Sequence, residues 1–519
     1  MKLNYKRTIL VGFAFFLICA FWQAYDATIP VILTNKYGMS QFWSGVIMAL
    51  DNVLALFMLP LFGALSDKCK SKRGKRTPFI IFGTAVAAVA LIALSVVDTI
   101  QLNKISDYTA LDDVATLERI YDQQADTVLK TPGGREFQLS TESGMTREKF
   151  SQIKVNEIDP VTGKEKVSAA YTNYVAPARE ACIAEITNSN PGTLIVFVAF
   201  LFVILVAMST FRSPAVALMP DVTVKPLRSK ANAVINLMGT AGGIIVLVLG
   251  MVFATSAVKN SFMSYIAYYA VIAGLMLISL FIFVRTVKEP AWAKEMEEDT
   301  VRYGIEENEE VQTEKRKLTS GEKRSLILIL LSVALWYFGY NAVTSKYAVY
   351  ASNVLHIDYN TTMLVAQGAA IVAYLPAGMI ASRIGRKKTI LAGVAMLAIA
   401  FGVASFMTSG SSVLVMNILF ALAGIGWATI NVNSFPMAVE LSTGADVGKY
   451  TGYYYTASMA AQTLTPMFSG WLMDNIADTI LFPYAAVFVA LAIVTMLFVA
   501  HGDNKVVTKK GLEAFDIED

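Results

Sequence analysis

Apolar residues in this chain are gathered into blocks of more than about 20, enough for a helix rising 1.5 Å per residue to cross a hydrocarbon core of roughly 30 Å. In that solvent each backbone N–H and C=O must find its partner within the segment, so every block is expected to be a spanning helix. Twelve blocks qualify: 8–31, 42–65, 78–98, 192–219, 231–257 and 262–285, then 325–350, 360–381, 389–408, 412–438, 450–472 and 480–500. Composition agrees, since 16% of the 519 residues are charged against about 25% in soluble domains. The expected fold class is an all-α polytopic membrane protein, its twelve transmembrane helices forming two pseudo-symmetric six-helix bundles.

The net charge of +3 matters less than where the short-loop bases fall. Lys2, Lys6 and Arg7 precede the first block; Lys68, Lys70, Lys72, Arg73, Lys75 and Arg76 follow the second; Lys225, Arg228, Arg383, Arg386, Lys387 and Lys388 mark later exits on the same side. The opposite short loops hold little beyond Lys36 and Lys259. This asymmetry predicts a multi-pass protein of the cell membrane with both termini cytoplasmic. The first block follows basic residues as a signal peptide would, but it is too long and lacks a small-residue cleavage site, so it is expected to be retained. Cys19, Cys69 and Cys182 fall in a span, a cytoplasmic loop and an external loop, which predicts no disulfide. His356 and His501 are too far apart for a zinc motif, and no catalytic constellation, metal site or nucleic-acid partner is expected. Gly444 to Lys449 is one residue short of a phosphate loop and is followed by Tyr450 where Ser or Thr is needed, so an ATP-driven pump is not indicated.

Two hydrophilic segments organise the chain. Residues 99–191 form an external insert between the third and fourth spans, long enough either to fold as a cap or to stay partly disordered. Residues 286–324, rich in Glu and Lys, read as a cytoplasmic linker dividing an N-terminal half, 1–285, from a C-terminal half, 325–519. The halves repeat a signature. After the second span stand Gly63, Ser66, Asp67 and Lys68, then Gly74, Lys75 and Arg76; after the eighth stand Gly378, Ser382, Arg383, Gly385, Arg386, Lys387 and Lys388 with the same glycine-to-base spacing and no insertion. A weaker pair matches Pro220, Asp221 and Arg228 with Pro436, Glu440 and Lys449.

These loops resemble the Gly-x-x-x-Asp-Arg/Lys-x-Gly-Arg-Lys motif of the major facilitator superfamily. More narrowly, GALSDKCKSKRGKRTPFIIFG (63–83), RSPAVALMPDV and RSKANAV are similar to the sucrose and maltose proton symporters and to the related glycoside, pentoside and hexuronide cation symporters. The resemblance implies the major facilitator fold, secondary transport, no cofactor, a proton as coupling ion, and a cytoplasmic latch in which Gly63, Asp67, Arg73, Gly74, Arg76, Asp221, Arg228, Gly378, Arg383, Gly385, Arg386, Glu440 and Lys449 gate the path. LALFMLPLFG lacks the helix 2 carboxylates on which melibiose-type carriers bind their cation, and Val216 stands where plant sucrose carriers place an arginine, with Arg212 one turn earlier.

An ionisable group within a span is costly and is a functional candidate by default. Asp26, Asp51 with its neighbour Asn52, and Arg212 qualify. Either aspartate is a candidate for the proton switch, at similar depth in the outer half; Arg212 is expected deeper, out of reach of Asp26, in an inner gate. Trp22 and Gln23 share a helical face with Asp26 one turn away. Trp336, Tyr340, Asn341, Gln367, Trp427, Asn431 and Asn433 add rings and amides that suit a sugar, whose C–H faces pack on aromatics while its hydroxyls need polar partners. For any one of them, helix-to-helix hydrogen bonding is an equal explanation. The functional expectation is a monomeric proton-coupled symporter for a disaccharide or other glucoside. The rivals are a proton-driven exporter of drugs or metabolites and a transporter-like sugar receptor.

Overall fold

A computed structural model describes residues 3–158, 165–224, 227–302, 318–441 and 447–502. In chain order the elements are α1 (Tyr5–Asn35), α2 (Gln41–Asp67) and α3 (Thr77–Lys104), then the insert with α4 (Val114–Gln124), β1 (Leu129–Lys130), β2 (Glu136–Phe137), α5 (Arg147–Ser151), β3 (Asn156–Ile158), β4 (Glu165–Val167) and α6 (Ala176–Ser189). They continue with α7 (Gly192–Asp221), α8 (Arg228–Val252), α9 (Ile266–Thr286), α10 (Glu289–Arg302), α11 (Ser320–Tyr350), α12 (Tyr359–Ile384), α13 (Arg386–Ala404), α14 (Val413–Val439), α15 (Val447–Asn475) and α16 (Leu481–Leu497).

All twelve apolar blocks are helical. Among the described residues, ten of the helices are long and apolar enough to cross a membrane; α12 and α15, richer in Asn, Thr, Gln and Ser, are not among them. Most run beyond the blocks because polar caps lie outside the apolar stretch. Asn4 accepts from the Arg7 N–H to start α1, Asp358 accepts from Asn360 and Thr361 to start α12, and Thr319 with Glu322 forms a capping box on α11.

The two halves are packed by one scheme. In the first, α1 lies against α8 and α9, and α7 against α2 and α3; in the second, α11 lies against α15 and α16, and α14 against α12 and α13. Each half has its own core, one centred on residues such as Leu17, Leu94, Leu205 and Ile272, the other on Val333, Trp336, Leu397 and Phe482. The α1–α8 seam is tight because its glycines let backbones meet: a Cβ on Gly242 would lie 2.5 Å from the Phe16 carbonyl oxygen.

The insert folds as a cap. Two short hairpins, β1 with β2 and β3 with β4, pack with α4, α5 and α6 around Leu117, Ile120, Phe137, Phe150, Val175 and Cys182. It begins after Lys104 rather than at 99, since α3 continues to place buried Gln101 where its side chain donates to the Lys36 carbonyl at 2.9 Å. Lys36, expected as a loop base, is fully buried: its ammonium lies 2.7 and 2.8 Å from the Asp98 oxygens, 2.7 Å from the Met263 carbonyl and over the Tyr265 ring. The three cysteines are free. Of the linker, residues 289–302 form α10, while 303–317 lie outside the described residues.

Candidate functional site

A cavity of about 410 Å³ lies between the halves, inside the roughly 300–1,000 Å³ typical of small-molecule sites. Helices α1, α7 and α8 wall one side, α11, α12, α13 and α14 the other. Trp22, Gln23 and Asp26, spaced one turn apart on α1, all face it, as do Tyr340, Gln367 and Trp427. Tyr340 and Trp427 stack with centroids 3.6 Å apart, and Tyr337 abuts Trp427 edge-on at 5.3 Å. Across from them the amides bridge the halves. Gln367 Nε2 donates to Gln23 Oε1 at 2.5 Å, and Gln23 Nε2 donates to the Tyr359 hydroxyl at 3.2 Å. The Trp22 indole N–H is buried without a partner among the described residues.

Arg212 makes no ion pair with Asp26 among the described residues. It lines the same cavity as Asp26, with its guanidinium 5.7 Å from the centre of the Trp22 ring. The helix carrying it runs on to Asp221, so Arg212 stands roughly two and a half turns above that end, and its long side chain reaches the middle of the molecule. Asp51 is half-buried, accepts from Asn52 at 2.8 Å and lies within electrostatic range of both Asp26 and Arg212, yet neither Asp51 nor Asn52 lines the cavity.

Four other expected contacts go elsewhere. Trp336 is fully buried in the second core. Asn341 donates to the Gln462 carbonyl at 3.1 Å, tying α11 to α15. Asn433 donates to the Thr429 carbonyl of its own helix at 2.8 Å, and Asn431 hydrogen-bonds Tyr374. For Asn341 and Asn431, helix-to-helix bonding is what the geometry displays. Sequence reasoning missed Thr240, Thr344 and Tyr374 on the cavity wall. Thr344 follows Tyr340 by one turn and Tyr374 follows Gln367 by two, so helical spacing from residues already chosen was a usable signal; Thr240 had none.

The repeated loop residues meet in pairs at the end carrying the basic loops. Arg76 Nε donates to Asp221 at 2.8 Å and its Nη2 to Asp67 at 2.5 Å, with a further contact to Ser66; Lys75 sits 3.2 Å from Asp221. In the second half Arg386 pairs with Glu440. The equivalent helices α3 and α13 are thus each pinned at their start to the end of α7 or α14. Gly74, at φ +109°, is obligatory, for a Cβ there would lie 2.2 Å from the Glu289 carboxyl carbon, whose oxygens accept from the Arg76 and Thr77 N–H groups at 2.8 Å each. Glu289, on linker helix α10, was not anticipated. Gly385 takes a φ of +95° between α12 and α13, and Gly63 lets α2 approach Ser213 of α7. Arg228 donates to the Pro220 and Thr223 carbonyls and so caps α7. Arg73 and Arg383 are exposed, Gly378 lies in α12 two turns before its end, and residues 444–446, with the Lys449 side chain, lie outside the described residues.

The latch is expected to join the halves when the carrier faces outward; here, among the described residues, each ion pair at this end stays within one half or joins it to α10. The cross-half bonds gather toward the end carrying the insert. Asp474 accepts from the Gln41 and Phe42 N–H groups at 2.8 and 2.7 Å, capping α2 from α15; Lys346 donates to the Gln41 carbonyl at 2.5 Å; Asn360 donates to Thr255 and Ser256. The molecule is closed at the insert end.

A family model described as "MFS_1 like family" matches residues 21–484. The chain belongs to the MFS_1-like family. It is a major facilitator superfamily transporter, a multi-pass membrane protein and not an enzyme. It is similar to the inward-open xylose transporter XylE from E. coli, with 14% identity, 99% of each chain covered and a TM-score of 0.58, and to the nucleoside transporter NupG, with 11% identity, 94% and 98% covered and a TM-score of 0.55. At those identities the likeness establishes the fold. A shorter match, 35% identical over 60 residues, is to the sucrose transport protein SUC4 of Arabidopsis thaliana; it spans 12% of this chain and 12% of that protein.

Proposed function

We propose that this family member is a proton-coupled sugar symporter that works by alternating access, taking a disaccharide or other glucoside. The observation that carries the reading is the composition of the central cavity. The stacked Tyr340–Trp427 pair and Trp22 offer apolar faces to a sugar ring, while Gln23 and Gln367 offer hydroxyl partners. Asp26 projects into the same space with no hydrogen bond to a described residue, and Arg212 lines the same cavity. A carboxyl group so placed can hold a proton while sugar is bound and give it up when a cation or the opposite mouth becomes its neighbour. The basic-loop end is then the cytoplasmic face, as the positive-inside rule requires, and the present geometry is the state closed to the outside. Rocking one bundle on the other would exchange the seam at the insert end for one at the basic loops.

The test is uptake of labelled sucrose and maltose into proteoliposomes under an imposed inward proton gradient. Accumulation that an uncoupler abolishes supports symport. Failure of both sugars under proton and sodium gradients sinks the substrate assignment, and proton-driven efflux of unrelated compounds would point to the exporter.

A further inference from the structure

A second cavity, of about 80 Å³, lies beneath the insert where three bodies meet. The insert contributes Lys130, Arg179 and Glu180, the first half Asn35 and Gln41, and the second half His356 and Asp478. The insert belongs to the chain of the first half but is seated on the second. Lys130 Nζ donates to the Asp474 carbonyl at 2.9 Å, the Thr479 N–H donates to the Pro132 carbonyl at 3.4 Å, and Thr172 Oγ1 lies 2.8 Å from His356 Nε2. Gly134, at φ +86°, abuts this surface so closely that a Cβ would sit 2.3 Å from the Ile476 carbonyl oxygen. Opening the insert end to admit substrate must break these contacts.

Glu180 and Asp478 look into this cavity from opposite sides of that seam, and their charges interact. The cations around them are only partly engaged elsewhere: the Lys130 and Lys346 charges also act on Asp478, and Arg179 keeps two buried guanidinium nitrogens without a partner among the described residues. Lys130 and Lys346 give their ammonium protons to the Asp474 and Gln41 carbonyls, and Arg179 donates to the Leu111 carbonyl while held between the Tyr171 and Phe262 rings. His356 is occupied by the Ser352 carbonyl and Thr172. Asp474 adds a third carboxylate beyond Asp478. Two carboxylates lining one confined cavity repel when both are ionised, and a proton on one, or parting of the surfaces, relieves it.

We propose that Glu180 and Asp478 form a proton-binding site across this seam, and that a proton held there locks the insert end shut. The inference rests on the alternating-access reading above. Burial, and then the Asp478 charge, push the Glu180 carboxyl up to about 8 in the closed state, against an ordinary value of 4.5 that exposure on opening would restore. The closed state therefore binds the proton more tightly. Closure gains as pH falls from about 8 toward 4.5 and is lost as pH rises through about 8. One proton shifts the open-to-closed ratio by up to about tenfold per pH unit within that window.

The experiment measures distances between spin labels at Lys259→Cys and Ser409→Cys, exposed on opposite halves at the insert end, in sugar-free nanodiscs with Cys19, Cys69 and Cys182 replaced by alanine. The long-distance population is expected to fall about tenfold per pH unit from pH 8 toward pH 5. Glu180→Gln and Asp478→Asn, each removing one charge, should both hold the short distance throughout. Two distance populations whose pH response survives unchanged in both variants would overturn the proton site and leave alternating access standing. A single distance at every pH, even with saturating sucrose or maltose, would overturn both.

Discussion

Tyr340 and Trp427 come from different helices of the second bundle, yet their rings lie parallel with centroids 3.6 Å apart, and both line the central cavity. Replacing Trp427 by leucine is expected to raise the half-saturating sugar concentration about tenfold, equivalent to about 1.4 kcal/mol, with the protein still folded; equilibrium binding by calorimetry reads it. Asp26→Asn should abolish uphill accumulation while leaving sugar exchange between equal pools, because exchange needs the binding surface but no net proton movement. Loss of exchange as well would make Asp26 a sugar ligand. Lys36 and Asp98 pose a question of stability. Both are fully buried, so Lys36→Met alone strands a charge and should cost about 3–5 kcal/mol, while adding Asp98→Leu should recover most of it in a thermal-shift series. Trp22, Gln23 and Asp26 were legible as a site because helical spacing puts them on one face. Trp336, Asn341 and Asn433 were not separable from them, since a ring or an amide in a span looks the same in sequence whether it faces a cavity or a neighbouring helix.

Among the elements, hydropathy located every span, and the errors lie at the ends. Helices stop where a cap or a partner satisfies their terminal backbone groups, and those partners are often distant in sequence. Asp474 of α15 caps α2, and Glu289 of α10 caps α3 across the Gly74 turn. Glu289→Ala removes three hydrogen bonds at the start of α3 and is expected to loosen the basic loop without unfolding the bundle, read as faster hydrogen exchange at residues 70–80. Close seams make sharper demands. A Cβ on Gly45 would lie 2.0 Å from the Pro466 carbonyl oxygen, where α2 crosses to α15 on the insert side. Gly45→Val should therefore disfavour the closed state specifically, shifting the label distances at the insert end toward the long population at every pH.

At the scale of the molecule, the insert is the part whose role depends most on three-dimensional placement. Replacing residues 105–190 by a short Gly/Ser linker removes Lys130, the Gly134 contact and Glu180 together, so the insert end should open more readily while labelled-sugar uptake continues. Abolished uptake in a correctly folded deletion would favour the receptor reading of the cap. The sequence by itself determined the twelve spans, the two halves, the repeated loops and the family, because membrane burial forces long apolar blocks and a repeated bundle leaves a repeated spacing of glycine, acid and base. It also brought Arg76 and Asp221, or Arg386 and Glu440, into one hypothesis before their contacts were known. Only the tertiary structure decided which polar residues face the cavity, that Arg212 reaches the level of Trp22, that the loop ion pairs remain within one half, and that the insert is a folded cap seated on the opposite half. Those facts turn on helix rotation and on contacts between residues hundreds of positions apart, neither of which hydrophobic periodicity within a single helix records.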